Sequence, residues 1–186
     1  MEPLIKGQTI SAAKEYIEEK LEPAALPKII AALLPDHQAI FQKKMMAGSW
    51  HPEKAFAALL ETAEKFYGDS SYKLCREIGA FSAHEGISRF YKIFIHFGDP
   101  AFVISRAGRF WGQIHNTGEM VGEKTGDKSG AATISGHGCP SRAFCHYLIG
   151  YMRGILEMSG AKNISVKEDY CVLDGKGSCR FSANWE

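Results

Sequence analysis

The sequence predicts an α+β fold in which a helical amino-terminal two-thirds packs on an antiparallel sheet. Apolar residues recur at helical spacing through residues 9–114, which is the pattern of amphipathic helices that bury one face. Beyond residue 116, short apolar runs alternate with glycine-containing turns, which indicates strands and hairpins. One strong helical pattern interrupts these strands, and the order β-β-α-β-β favours an antiparallel sheet.

Prolines divide the first part of the chain into helical segments. The first three predicted helices cover residues 9–21, 25–34 and 36–46. Pro23 and Pro35 end the first two, because proline cannot continue a helix. We expect residues 1–48 to form a helical extension within a single domain that covers residues 1–186.

A proline also marks the start of the fourth predicted helix. Pro52 lies in the segment Ser49-Trp50-His51-Pro52-Glu53, at a position where a first helical turn tolerates proline. A long, mostly buried helix then begins near Ser70 or Ser71 and ends at Gly98-Asp99-Pro100, and the last of the series covers residues 101–114. The fourth helix carries the apolar stripe Phe56, Leu59, Leu60, Ala63 and Phe66.

The carboxy-terminal part holds four predicted strands around one helix. In chain order we expect strands at residues 119–124 and 131–135, a helix at 141–158, and strands at 164–173 and 179–183. Ser159-Gly160 ends the helix, since glycine favours the left-handed conformation that follows many helices. The last two strands form a hairpin around a turn that contains Gly175 and Gly177.

Composition and charge exclude several classes of function. The chain has 45% hydrophobic residues and a formal net charge of +1, which argues against a surface that follows nucleic-acid phosphates. It has no recognisable signal peptide and no apolar run near the roughly 20 residues needed to cross a membrane. Five cysteines are an odd number, which suits a reducing compartment. We therefore expect a cytoplasmic protein without nucleic-acid or membrane partners.

Four residues near the carboxy terminus form the clearest candidate site. Cys145, Glu168, Cys171 and Cys179 supply three thiols and a carboxylate, which are enough to close a tetrahedral zinc site. A single cysteine is more often a small buried apolar residue, but a thiol pair across a hairpin, facing a helix that carries a third thiol, favours a metal. Because protein would fill all four positions, we expect a structural metal rather than one that activates water.

This ligand set requires an irregular strand. Glu168 and Cys171 are an odd number of residues apart, so their side chains point to opposite faces of an ideal strand. Both reach one ion only if the strand bulges or twists sharply. We therefore predict a β-bulge near Asp169 and Tyr170.

The other thiols and the known catalytic motifs give weaker signals. His137 and Cys139 form an alternative ligand pair or a Cys/His catalytic pair, but a loop leading into the helix explains them better. Cys75 lies in a helical apolar stripe and is expected in the core. No Gly-x-Gly-x-x-Gly follows a strand, and no Gly-x-Ser-x-Gly occurs. We predict that the protein is not an enzyme.

The carboxy-terminal motifs resemble those of a known domain. The segment from Cys145 to Gly154, Glu168-x-x-Cys171 and Gly177-x-Cys179 are similar to the 4-vinyl-reductase domain, also called the hydrocarbon-binding domain. The wider chain is similar to stand-alone bacterial proteins with the same carboxy-terminal pattern. This second similarity rests on Ser49-Trp50-His51-Pro52, Gly98-Asp99-Pro100 and Phe181-x-x-x-Trp185.

The resemblance implies a cofactor, a ligand class and an assembly. Aromatic-responsive transcription activators with this domain hold zinc (Zn2+) through three cysteines and one glutamate, which match Cys145, Glu168, Cys171 and Cys179. The superfamily also includes vesicle-tethering subunits with an acyl-chain pocket and the haem domain that senses nitric oxide. Its members hold a small apolar ligand between helices and sheet, often as homodimers. The resemblance therefore implies zinc, an apolar ligand and a homodimer.

Aromatic side chains are the candidate walls of such a pocket. The predicted ligand-binding residues are Tyr91, Phe94, His96, Phe110, Trp111 and Tyr147. His96 is the polar member, and a histidine ahead of the zinc motif contacts the ligand hydroxyl in the aromatic-responsive activators. The alternative is that these aromatic residues are core and that His96 interacts with a helix dipole.

The main prediction is a non-enzymatic sensory domain for a small hydrophobic or aromatic molecule, with a structural zinc site. The activators' ATPase and DNA-binding regions are missing here, so an unknown downstream protein would receive the signal. One alternative is a dimeric interaction scaffold with a filled core. Another is a haem-based sensor, although the Tyr-x-Ser-x-Arg signature of the nitric-oxide sensor is absent. The candidate axial ligands for haem are His84, His96, His115 and His146.

Overall fold

Helices make up most of the first part of the chain, and four strands around one helix make up the rest. The computed structural model describes residues 1–86 and 99–186. The helices are α1 (Gly7–Lys20), α2 (Ala25–Ala31), α3 (Pro35–Phe41), α4 (Glu53–Tyr67), α5 (Lys73–Gly86), α6 (Pro100–Ser105), α7 (Ala107–Ile114) and α8 (Arg142–Met158). The strands are β1 (Leu4–Lys6), β2 (Trp50–Pro52), β3 (Glu119–Gly126), β4 (Ser129–Ser135), β5 (Ser165–Tyr170) and β6 (Ser178–Asn184). The predicted α+β class is confirmed.

The four carboxy-terminal strands form one antiparallel sheet in the order β3-β4-β6-β5. α8 connects β4 to β5 and packs against β5, α4 and α5. Cys179, Phe181 and Ala183 of β6 are buried at alternate positions, as expected when one face of a sheet meets the core. The β-β-α-β-β order is therefore confirmed.

A short ribbon near the amino terminus is absent from the sequence prediction. β1 pairs with β2 in antiparallel register, with Ile5 opposite His51. Trp50–Pro52 is therefore a strand rather than part of a first helical turn, and Pro52 precedes α4 as its cap residue. Three residues are too few for the alternation of a strand to be visible in the sequence.

Three predicted helices have different limits in the structure, and the second ends at Ala31 rather than at residue 34. α3 ends at Phe41 rather than at residue 46. The helix expected over residues 101–114 is divided at Arg106, whose backbone leaves the helical region (φ −105°, ψ 4°). The division produces α6 and α7, which both pack against β3. Apolar spacing alone does not reveal a one-residue break of this kind.

Glycines allow α5 and α8 to cross at very short distance. A Cβ atom on Gly150 would lie 1.8 Å from the backbone oxygen of Arg76, and one on Gly79 would lie 2.0 Å from the backbone oxygen of Tyr147. Contacts this short exclude any side chain larger than hydrogen. Tyr147, one turn before Gly150 in α8, lies inside the core next to this crossing.

Candidate functional site

An apolar cavity of about 110 Å³ lies between α6, α7, α8 and the four-stranded sheet. Its walls are almost wholly apolar, which is typical of a small-molecule pocket. Phe110, Trp111 and Tyr147, all predicted from the sequence, line this cavity. Much of the remaining wall consists of Ile104, Ile114, Met120, Leu148, Tyr151, Met152, Ile155, Val166 and Phe181.

Tyr147 brings a polar group to these walls. Its ring is buried and packs edge-on against Phe56, with 5.2 Å between ring centroids. Its hydroxyl is buried and makes no hydrogen bond within 3.5 Å among the described residues, although Ser82 lies close enough to lower the pKa of the phenol against the larger, opposite effect of burial. Because Tyr147 lines the cavity, its neutral hydroxyl is the candidate hydrogen-bond donor to a guest.

Three of the predicted pocket residues, Tyr91, Phe94 and His96, lie outside residues 1–86 and 99–186. Their contribution to ligand binding stays a prediction. Of the two aromatic clusters expected from the sequence, the structure therefore places the one that contains Phe110 and Trp111.

The predicted metal ligands meet at the start of α8 and the β5–β6 turn. The Sγ atom of Cys171 lies 3.6 Å from that of Cys145 and 3.0 Å from that of Cys179. One ligand atom from each of these cysteines and from Glu168 lies within 4.8 Å of all the others. Arg142 donates a hydrogen bond of 3.1 Å to Glu168 Oε2, whereas Oε1 is buried without a partner.

A bulge in β5 makes this convergence possible. The register of β5 against β6 shifts between Glu168 and Tyr170, which confirms the predicted irregularity at Asp169. Burial raises the pKa of the Cys179 thiol to about 11 and also raises that of Cys145. Buried thiols of this kind remain protonated at neutral pH unless a cation binds them.

A second cluster joins three distant segments beside the cavity. Oε1 of Glu53, at the start of α4, lies 2.8 Å from Nδ1 of His115 and 3.0 Å from Nε2 of His137. The His115 ring stacks on Trp111 with 3.8 Å between centroids. The predictions from the sequence assign His115 and His137 to separate sites and do not include Glu53. Separations of 62 and 84 residues leave no local signal that would join them.

The remaining candidate histidines and thiols have other surroundings. His84 lies 3.5 Å from Glu157 in an exposed position, and His146 pairs with Arg76 Nη1 at 3.0 Å. Neither lines the cavity, whereas His115 does. Cys75 is fully buried, as expected for a core residue. His137 directs Nε2 to Glu53, so a catalytic pair with Cys139 finds no support in its hydrogen bonds.

No protein-family model matches the sequence, and a search of curated proteins gives no match. The predicted membership of the 4-vinyl-reductase family is therefore not confirmed. Solved structures do match, each over 98% of this chain. They include an H-NOX protein from S. oneidensis in the Fe(II)NO ligation state, with 13% identity, a TM-score of 0.75 and 99% of its length covered.

Two further solved structures show the same similarity. One is a mutant H-NOX protein from K. algicida in the unliganded Fe(II) state, with 15% identity, a TM-score of 0.73 and 97% of its length covered. The other comes from work on haem distortion in the H-NOX family, with 10% identity, a TM-score of 0.71 and 95% of its length covered. At these identities the similarity shows a shared fold.

The prediction of zinc as the cofactor is contradicted by these structures. Two of them are described by the ligation state of Fe(II), and the third concerns haem. The error arose because ligand type and spacing describe a possible coordination geometry, not the cofactor that a fold carries.

The described pocket suits the apolar part of a haem but not the whole group. His115 is the described histidine that lines the cavity, but its Nδ1 is already bonded to Glu53. The described lining residues include no Lys or Arg, so haem propionates would lack a cationic partner inside the cavity. The volume of about 110 Å³ is also below the roughly 300–1,000 Å³ of drug-sized sites. A smaller apolar molecule fits these walls better.

Proposed function

We propose that the protein is a non-enzymatic sensor domain that holds a small apolar or aromatic molecule between α7, α8 and the sheet. The observation that carries this proposal is the apolar cavity of about 110 Å³ within a fold shared with H-NOX proteins. An apolar cavity of about 150 Å³ in a protein core binds benzene. The volume is therefore on the scale of one aromatic ring.

A dimeric scaffold with a filled core is the weaker alternative. A filled core would leave no cavity beside Trp111 and Tyr147, where the structure has one.

We propose that the single domain of residues 1–186 acts in the cytoplasm as a homodimer and passes its state to an unknown downstream protein. No helix within residues 1–86 and 99–186 is long and apolar enough to span a bilayer.

Haem is the second ligand to test, because solved proteins with this fold are described with it. His96, which lies outside the described residues, and His115 are among the candidate axial ligands from the sequence, but the Nδ1 atom of His115 is already bonded to Glu53 and the described lining residues include no Lys or Arg for the propionates. Haem is therefore an outcome of the binding test rather than the proposed ligand.

Binding of phenol and benzene tests the proposal directly. Native mass spectrometry of the purified protein is expected to show a co-purified apolar molecule. If none co-purifies, we expect one molecule of phenol or benzene to bind per chain after either is added. We expect Tyr147→Phe to lower phenol affinity by about 10-fold, the value of one hydrogen bond, and to leave benzene affinity unchanged. Its free energy of unfolding should not fall, because the variant removes a buried hydroxyl that lacks a partner.

Two outcomes would contradict this proposal. If neither benzene nor phenol binds at saturating concentration, the cavity is not a ligand site. If added haem binds one-to-one with a sharp Soret band and excludes phenol, the haem-based sensor replaces the small-ligand sensor. The same mass spectra report whether the chain is a monomer or a homodimer.

A second part of the proposal concerns the cluster at the β5–β6 turn. We propose that Cys145, Glu168, Cys171 and Cys179 bind a metal ion that ties the hairpin to α8, and we leave its identity to elemental analysis. Cys171→Ser is expected to remove this metal and to speed amide exchange in β5 and β6, because Cys171 contacts both other thiols. Cys75→Ser, at an equally buried thiol, should keep the metal. Equal metal content in the two variants would contradict the ligand assignment.

A further inference from the structure

The cluster of Glu53, His115 and His137 has an arrangement that the pocket does not explain. Its side chains come from the start of α4, the end of α7 and the loop between β4 and α8. All three are at least nine-tenths buried, with side-chain exposures of 0%, 5% and 5%. Two imidazole nitrogens point at the same carboxylate oxygen. A buried pair of imidazoles and a carboxylate is a recurrent ligand set for divalent metals.

One oxygen of the cluster has no partner. Glu53 Oε2 is buried and accepts no hydrogen bond from the described residues. Within residues 1–86 and 99–186, Glu53 has no Lys or Arg partner either, and its ion pairs are with the two histidines. A buried carboxylate without a full set of partners is costly. A bound cation would compensate the charge of the carboxylate.

We propose that Glu53, His115 and His137 form a site for a six-coordinate divalent metal such as Fe²⁺ or Mn²⁺, separate from the cysteine cluster. The distances of 2.8 and 3.0 Å from Glu53 Oε1 to the two nitrogens match adjacent ligands at about 2.1 Å from one ion, which lie about 3.0 Å apart. Each imidazole coordinates through a nitrogen whose proton has passed to the other ring nitrogen, so no net proton is released. Two imidazoles and one carboxylate leave coordination positions open.

The surrounding rings hold this ligand set in place before a metal arrives. Trp111 stacks on His115, and Phe144 stacks on His137 with 5.1 Å between centroids. The two rings fix the imidazole planes, which lie at 89° to each other. Because His115 also lines the apolar cavity, the metal would lie beside the ligand pocket. The proposal is nevertheless independent of what the pocket binds.

Manganese is the appropriate probe because it distinguishes the two clusters. Mn²⁺ prefers oxygen and nitrogen ligands to thiolates, so it should bypass the three cysteines. We expect electron paramagnetic resonance to show saturable uptake of one Mn²⁺ per chain in the unaltered protein. Electron spin-echo measurements should show imidazole nitrogen coupled to the bound ion. This measurement uses the unaltered protein and requires no variant.

Two variants test the ligands, and two more serve as controls. Glu53→Gln retains a hydrogen-bond acceptor for the histidines but removes the charge, and His137→Gln removes one nitrogen ligand. Each is expected to weaken Mn²⁺ binding by more than about 100-fold, at or beyond the loss caused by removing an outer-shell partner. His84→Gln, at an exposed histidine, and Cys171→Ser should bind Mn²⁺ like the unaltered chain.

The proposal is overturned if the unaltered protein takes up no Mn²⁺ or if the bound ion shows no nitrogen coupling. It is also overturned if Glu53→Gln binds Mn²⁺ as tightly as the unaltered chain while its circular dichroism stays native. Should both ligand variants fail to fold, the spin-echo result on the unaltered chain decides the question. If the unaltered protein takes up Mn²⁺ but does not bind phenol or benzene, the pocket proposal is rejected and the metal-site proposal is retained.

Discussion

Gly150→Ala is expected to lower the free energy of unfolding by about 3 kcal/mol or more, at the upper end of the range for overpacked cores. The new Cβ atom would lie 1.8 Å from the backbone oxygen of Arg76, and a backbone oxygen cannot move without shifting the whole of α5. The shift would also displace Tyr147 from the cavity wall. Urea denaturation followed by circular dichroism measures the change, and phenol binding should weaken in parallel.

Gly112→Ala is the matched control for this prediction. Gly112 also lies within a helix, α7, but a Cβ atom there would meet no atom within 4 Å. Alanine favours a helix over glycine by about 1 kcal/mol, so this variant should be slightly more stable than the unaltered chain. If Gly150→Ala behaved like Gly112→Ala, the close crossing of α5 and α8 would be wrong.

Trp111→Ala is expected to lower the free energy of unfolding by about 3–5 kcal/mol, as for other buried aromatic residues. Trp111 is only 4% exposed, its indole N–H donates to the backbone oxygen of Thr117 at 3.0 Å, and its ring covers His115. Its removal deletes one wall of the cavity and also the ring that stacks on His115 in the cluster of Glu53, His115 and His137. We therefore expect weaker phenol binding and weaker Mn²⁺ uptake in the same variant.

Trp50→Ala supplies the comparison. Trp50 is 40% exposed and has Lys6 over its ring at 3.8 Å, so its loss should change stability by no more than about 1 kcal/mol. Both variants remove one indole, which keeps the fluorescence baselines comparable. A similar loss of stability in the two variants would contradict the buried position assigned to Trp111.

Several features could be predicted because they depend on residues that are close in sequence. α8 follows from its apolar spacing and from Ser141, whose side chain accepts a hydrogen bond from the backbone of Phe144. The bulge at Asp169 follows from the requirement that Glu168 and Cys171 face one point, and the register shift confirms it. The ribbon of β1 and β2 was missed because pairing between such short and distant strands leaves no local pattern.

The cofactor prediction failed for a different reason. Cys145, Glu168, Cys171 and Cys179 do converge, but a ligand set describes only a capacity to bind. The fold, which is shared with proteins described by Fe(II) and haem, was not readable from the spacing of these residues. Similar folds at 13% identity retain packing but few of the side chains that would identify a cofactor.

The local sequence alone thus predicts most of the helices, the carboxy-terminal hairpin and the bulge that turns Glu168 toward the thiols. The spacing of apolar residues and the preferences of turn residues act over a few residues, so short stretches of sequence are enough to predict these elements. Only the tertiary structure decides that α5 and α8 touch through glycines, that Trp111 and Tyr147 border one cavity, and that Glu53 meets His115 and His137. Such contacts join residues many turns apart and depend on how all the elements pack together.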